Sequence, residues 1–220
     1  MSFDDFIKNL SEEDKNNFEK YKDFRGVQYY KIIYTTLINK CDNVTYTDVN
    51  SFIRYDKALK DVLYTYLGTL EDYTKNYILC NFDFTKDAKL EKDYYVYFDK
   101  LPACEKKNVG FGEITELYKR YALVFDSMIQ FLRKYSPDKF DLKRLINIKD
   151  LRNDVMHHKP LLFDVNFDSK NDNINKKISS LIELLPESHR IGLKNALNDK
   201  TLKTKENIKE EYYDFLLEEF

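Results

Sequence analysis

Apolar residues recur along this chain at three- and four-residue spacing, and that period predicts helices almost throughout. Phe3, Phe6, Ile7 and Leu10 open the pattern before a polar run, so segment 4–21 reads as a short or broken helix. Val27, Tyr30, Ile33, Tyr34, Leu37 and Ile38 predict a helix over 25–39, broken by the polar Cys41-Asp42-Asn43. The longest run starts at Phe52 and Ile53 and continues through Leu59, Leu63, Leu67 and Leu70 to Tyr77 and Ile78. It reads as a short helix followed by a long one, with Thr47 or Asp48 as the N-cap. Segment 81–99 mixes aromatic and charged residues without a clear period.

Past Gly110 and Gly112, the positions Leu117, Tyr121, Leu123, Val124, Met128, Ile129 and Leu132 predict a helix over 113–134. Ser136-Pro137-Asp138 is its stop signal. Leu142, Leu145, Ile146, Ile148, Leu151, Val155 and Met156 predict an inward-facing stripe on a helix over 140–158. Pro160 closes that helix, because proline drives the preceding residue out of the α region. Segment 163–173 reads as a polar loop. Three shorter helices follow over 174–185, 189–197 and 205–219, with Leu181, Ile182, Leu184 and Leu185 as core candidates. The expected fold is all-α. Residues 1–165 are expected to form a helical domain built on the helices near 56–80, 113–134 and 141–158, and residues 166–220 a C-terminal helical extension packed on it or a small subdomain.

Composition narrows the function. Five Gly and four Pro in 220 residues disfavour strand-rich or loop-rich folds. Lys+Arg total 36 against 38 Asp+Glu, a net charge of -2, which argues against nucleic-acid binding driven by whole-chain charge. A local basic cluster remains open: Arg133, Lys134, Lys143 and Arg144 either guide a nucleic acid or are solvated helix-face charges. No tract approaches the roughly 18 apolar residues of a membrane span. The acidic start Met1-Ser2-Phe3-Asp4-Asp5 lacks a signal-peptide core. A cytoplasmic protein without a membrane partner is expected. Cys41, Cys80 and Cys104 have no CxxC spacing, which predicts reduced thiols rather than a zinc site. The 18 Tyr and 16 Phe reflect a compositional bias as readily as base-stacking surfaces.

The candidate chemistry is concentrated in Leu151-Arg152-Asn153-Asp154-Val155-Met156-His157-His158, which holds two of the chain's three histidines. Arg is a permanent cation with a donor fork suited to phosphate. His gains and loses a proton near neutral pH. At about 100° per helical residue, Asn153 and His157 share one face and Asp154 and His158 the next, while Leu151, Val155 and Met156 fall on the core side. A helix C-terminus and Asp154 favour the imidazolium, and Arg152 opposes it. Adjacent histidines on a helix diverge too far to hold one metal ion together. Spacing alone leaves two readings open: a phosphate-acting site, or an ordinary helix end whose Arg and His cap carbonyls and oppose the dipole.

A resemblance bears on this choice. Arg152-Asn153-x-x-x-His157 is similar to the Arg-polar-x-x-x-His signature of HEPN ribonucleases. The longer string from Leu151 to His158-x-Pro160 resembles the Abi-like (AbiD/AbiF-type) abortive-infection branch. Upstream, Tyr55-Asp56-x-x-Leu59 followed by Leu70-Glu71 resembles the same branch, and the likeness spans about residues 25–165. The chain departs from it at Lys75, where the branch often has Arg, and at Met156, where it often has a small residue.

The resemblance implies a HEPN-type helical bundle with additional C-terminal helices. It implies a homodimer whose two motifs meet in a composite active site, and a metal-independent, cofactor-free endoribonuclease of an abortive-infection, antiviral-defence or toxin system. Arg152 would neutralise the scissile phosphate of an RNA substrate. His157 would act as acid or base for 2′-OH attack, leaving 2′,3′-cyclic phosphate and 5′-OH ends. Asn153, Asp154, His158 and Glu71 would support the pair, with Glu71 also readable as an ordinary interhelical carboxylate. A protein or RNA antitoxin or regulator would restrain the activity. The alternative is a non-catalytic HEPN-like module that binds RNA or protein through the same helix end.

Overall fold

The computed structural model describes residues 1–82, 125–138, 141–163 and 171–220. The aperiodic segment after residue 82, Gly110, Gly112, Cys104 and the first half of the helix expected over 113–134 lie outside the described residues. Within them the chain is all-α, with no strand. Eight α-helices run in order: α1 (Phe3–Lys8), α2 (Glu12–Arg25), α3 (Val27–Ile38), α4 (Tyr46–Asn81), α5 (Phe125–Tyr135), α6 (Leu142–Met156), α7 (Asn171–Leu184) and α8 (Glu187–Lys205). A 3-10 helix, Glu210–Phe215, follows.

α4 organises the bundle. It is a single helix of 36 residues, not a short helix followed by a long one. Its cap is Thr45, not Thr47 or Asp48. The Thr45 hydroxyl accepts from the Asp48 N–H at 3.2 Å, and the Asp48 carboxylate accepts from the Thr45 N–H at 2.8 Å. This reciprocal capping box satisfies two donors that a helix start leaves orphaned. Beyond it, Phe52, Tyr55, Leu59, Leu63, Leu67, Leu70 and Ile78 form an unbroken buried stripe with helical spacing. No proline interrupts it, so nothing divides the helix in two.

α3, α5, α6 and α8 pack on α4, and α7 packs against α6 and α8. α1 and α2 lean on α3, and Ser11 caps α2, so the segment expected as a short or broken helix is a short α1 followed by a separate α2. The C-terminal helices join the same buried cluster as α4. The Tyr55 hydroxyl pairs with Thr201 Oγ1 at 2.7 Å and accepts from the Leu217 N–H at 3.2 Å. α8 reaches Lys205, well past the expected stop at 197, and the last expected helix is the short 3-10 turn instead. Phe163, expected at the start of a polar loop, is buried in edge-on contact with Phe52 and beside Phe215. Ile146, expected in the core, is 39% exposed. Leu181, Ile182 and Leu185 are buried as their spacing predicts, with Leu184 at the edge. No described helix is long and apolar enough to cross a membrane.

Candidate active site

α6 begins at Asp141, whose carboxylate accepts from the Arg144 N–H at 3.0 Å. Leu145, Ile148, Leu151 and Val155 are fully or almost fully buried. That stripe fixes the rotation of the helix and leaves Arg152 and Asn153 off its fully buried face.

The end of α6 is built by hydrogen bonds from three successive amides. His157 N–H donates to the Asn153 carbonyl at 3.0 Å, His158 N–H to Val155 at 3.1 Å, and Lys159 N–H to Asp154 at 2.9 Å. The last two form a Schellman closure, which requires a left-handed residue after the cap. His158 supplies it, with φ of 54°, the one non-glycine positive φ among the described residues. The helix therefore ends at Met156, two residues before the expected 158. His157 caps it, and neither histidine lies on the helix proper; both are exposed. Asp154 and His158 consequently lose the helical i,i+4 relation that their spacing suggested. Asp154 instead lies 3.5 Å from the Lys159 ammonium.

Arg152 meets α4. Its Nε donates to Glu71 Oε1 at 2.8 Å, and its Nη1 lies at the 3.5 Å outer limit from Asn153 Oδ1. The two side chains are only 17% and 14% exposed. Packing of α6 across α4 thus brings together Arg152, Asn153 and Glu71, residues from opposite ends of the proposed motif set. The Glu71 carboxylate accepts a charge-assisted hydrogen bond from the guanidinium Nε.

A second anchor was not evident from sequence. Asp56 Oδ1 accepts from the Leu161 N–H at 2.7 Å. Its other oxygen forms an ion pair with Lys60, one turn along α4. Lys60 in turn donates to the His158 carbonyl at 3.3 Å and lies 5.6 Å from the centre of the Tyr29 ring. Two backbone points of segment 158–161 are thereby tied to α4. Burial holds the Tyr29 hydroxyl well above the usual phenol range, and the Asp56 charge adds to the rise. Its sequence signals are Asp56, which belongs to the Tyr55-Asp56-x-x-Leu59 string, and a carboxylate and an ammonium four apart inside an otherwise apolar helical stripe.

Arg133, Lys134, Lys143 and Arg144, open in the sequence between a nucleic-acid path and solvated helix-face charges, have separate surroundings. Arg144 pairs with Asp141 and with Glu183 of α7, Lys134 lies over the Tyr135 ring, and Arg133 and Lys143 are exposed on their own helices. Cys41 and Cys80 are free thiols, and Cys41 donates to Glu211 at 2.8 Å. Among the described residues, no three His, Cys, Asp or Glu side chains converge as a metal-ligand group. Compared with known protein families, with curated proteins and with solved structures, the chain shows no match.

Proposed function

We propose that the chain is a HEPN-like endoribonuclease of an abortive-infection or toxin type, cleaving RNA without a metal, with Arg152 and His157 as its reacting groups. The observation that carries this reading is the Arg152–Glu71 contact. Two distant parts of the motif set, read separately on the chain, meet at hydrogen-bond distance, and His157, one residue past the end of the same helix, is exposed. An ordinary capping arginine would turn to the carbonyls at its own helix end. Arg152 is held sideways by a carboxylate from another helix.

In the proposed reaction the ribose 2′-OH attacks the adjacent phosphorus and the P–O5′ bond breaks. A base takes the 2′-OH proton, and the departing 5′ oxygen receives a proton from an acid. His157 fills one of these roles, and its copy in a second subunit fills the other. Arg152 offsets the charge that builds on the phosphate oxygens. The 2′-OH requirement confines the reaction to RNA.

A second reading has an observation in its favour. A guanidinium already committed to Glu71 also suits a non-catalytic module in which Arg152 braces α6 against α4. Purified protein incubated with total RNA in EDTA separates the two readings. The nuclease reading expects cleavage by wild type and none by Arg152→Ala or His157→Ala. RNA retained intact by a protein that still binds it supports the second.

A further inference from the structure

Beside the motif lies a groove of about 660 Å³ between α2, α3, α4 and the turn that follows α6. That volume is within the roughly 300–1,000 Å³ typical of sites for compact ligands. Val155 and His158 form its wall on the motif side. Its charged lining comprises Arg25, Arg54, Lys57 and Lys60 against Asp56 and Asp61, an excess of two positive charges on a chain whose net charge is -2. Arg25 and Lys60 are structural: Arg25 donates to Asn50 at 2.6 Å, and Lys60 is paired with Asp56. Arg54 and Lys57 are exposed, and among the described residues neither has an ion-pair partner. Two large aromatic residues stand at the groove with no burial to justify them: Phe24 is 88% exposed and Tyr64 57% exposed.

The groove is continuous with the motif along one face of α4. Arg54, Lys57, Asp61, Tyr64, Gly68 and Glu71 fall within an arc of about 100° at ~100° per residue. Tyr64 and Glu71 are separated by about 10 Å of helix axis at ~1.5 Å per residue. Between them, no described residue stands within 4 Å of the point where a Gly68 Cβ would sit. Among the described residues, nothing at Gly68 blocks the way from the aromatic and basic groove to the Arg152–Glu71 pair.

From this we infer that the groove binds single-stranded RNA, with a base stacked on Tyr64 or Phe24, phosphates on Arg54 and Lys57, and the strand passing over Gly68 toward Arg152. Exposed aromatic faces beside unpaired cations are the recognition chemistry of single strands, because an unpaired base offers its face and a duplex does not. The inference deepens the nuclease reading by naming its substrate as single-stranded, yet it concerns binding and is read without cleavage.

Fluorescence anisotropy tests it, using a labelled single-stranded oligoribonucleotide and its duplex with His157→Ala protein in EDTA. The single strand is expected to bind more tightly than the duplex. Tyr64→Ala or Phe24→Ala is expected to weaken single-strand binding roughly 5- to 100-fold, the range of one lost stack. Arg54→Ala with Lys57→Ala is expected to flatten the slope of log K against log salt by roughly 1.4, at ~0.7 per phosphate contact. All four side chains are exposed, so these variants are expected to keep the wild-type circular dichroism spectrum. Equal single-strand binding by wild type and variants overturns the inference, as does preference for the duplex. So does a sedimentation shift from dimer to monomer in Phe24→Ala or Tyr64→Ala with RNA binding intact, which would assign the groove to a second copy of the chain. Cleavage by wild type with unaltered variant binding would leave the nuclease reading standing and remove the groove. Weakened variant binding with no cleavage by wild type would do the reverse.

Discussion

Arg152 has its Nε edge held by Glu71, and in the proposed reaction its Nη edge takes the phosphate. That division predicts how substitutions behave. Lys keeps the charge but has no fork, so Arg152→Lys cannot bridge a carboxylate and a phosphate in one plane. Cleavage by this variant is expected to fall at least about tenfold, measured as initial rate on a fixed oligoribonucleotide. Glu71→Gln keeps an acceptor but loses the charge of a largely buried pair. It is expected to cost roughly 1–2 kcal/mol in urea unfolding and to slow cleavage as well. Loss of stability with full cleavage would make Glu71 a brace and nothing more.

At the scale of elements, the turn after α6 determines where the histidines go. His158 holds a left-handed conformation that costs a non-glycine residue roughly 1 kcal/mol. His158→Gly is therefore expected to stabilise the fold by about that amount in thermal or urea unfolding. Destabilisation would mean that the imidazole itself contributes more than the strain costs. This turn also shows what the sequence could and could not tell. Apolar spacing alone located α6 and its buried face, because Leu145, Ile148, Leu151 and Val155 repeat at helical intervals. Pro160 correctly announced a stop. The residue at which the helix closes was hidden, because Schellman closure here uses His158, where glycine would have marked it. The α4 start was hidden for a related reason. Thr45, Thr47 and Asp48 are all capping types, and only the reciprocal bonds choose Thr45. Phe163 was misplaced because its burial depends on Phe52 and Phe215, far away along the chain.

At the scale of the whole molecule, Arg152 and Glu71 are 81 positions apart, and no local pattern could pair them; the resemblance alone suggested looking at both. Likewise the groove draws on α2, α3, α4 and α6, and charges read along the chain, where Arg133, Lys134, Lys143 and Arg144 were open between an RNA path and solvated helix faces, do not reveal it. Two molecular properties follow from the account. If the active site is shared across a dimer, specific activity is expected to fall as protein is diluted through the dimer dissociation constant. Constant activity in a purely monomeric range would contradict a composite site. Stability is expected to fall in alkali. Burial raises the phenol pKa of Tyr29, and also those of Tyr46 and Tyr212. Their contribution is fully present below the unfolded value of about 10 and is lost as pH climbs from there toward the folded values. Urea midpoints measured between pH 8 and pH 11.5 are expected to be flat at first and then to decline, less steeply in Tyr29→Phe.

The most direct test uses one single-stranded oligoribonucleotide and its counterpart with 2′-deoxyribose at the cleaved position, both incubated with the protein in EDTA. The first is expected to be cleaved into 2′,3′-cyclic phosphate and 5′-OH ends, the second is expected to stay intact, and neither is expected to be cleaved by Arg152→Ala or His157→Ala. Cleavage that survives in those variants, or that proceeds on the deoxy-substituted strand, would contradict it.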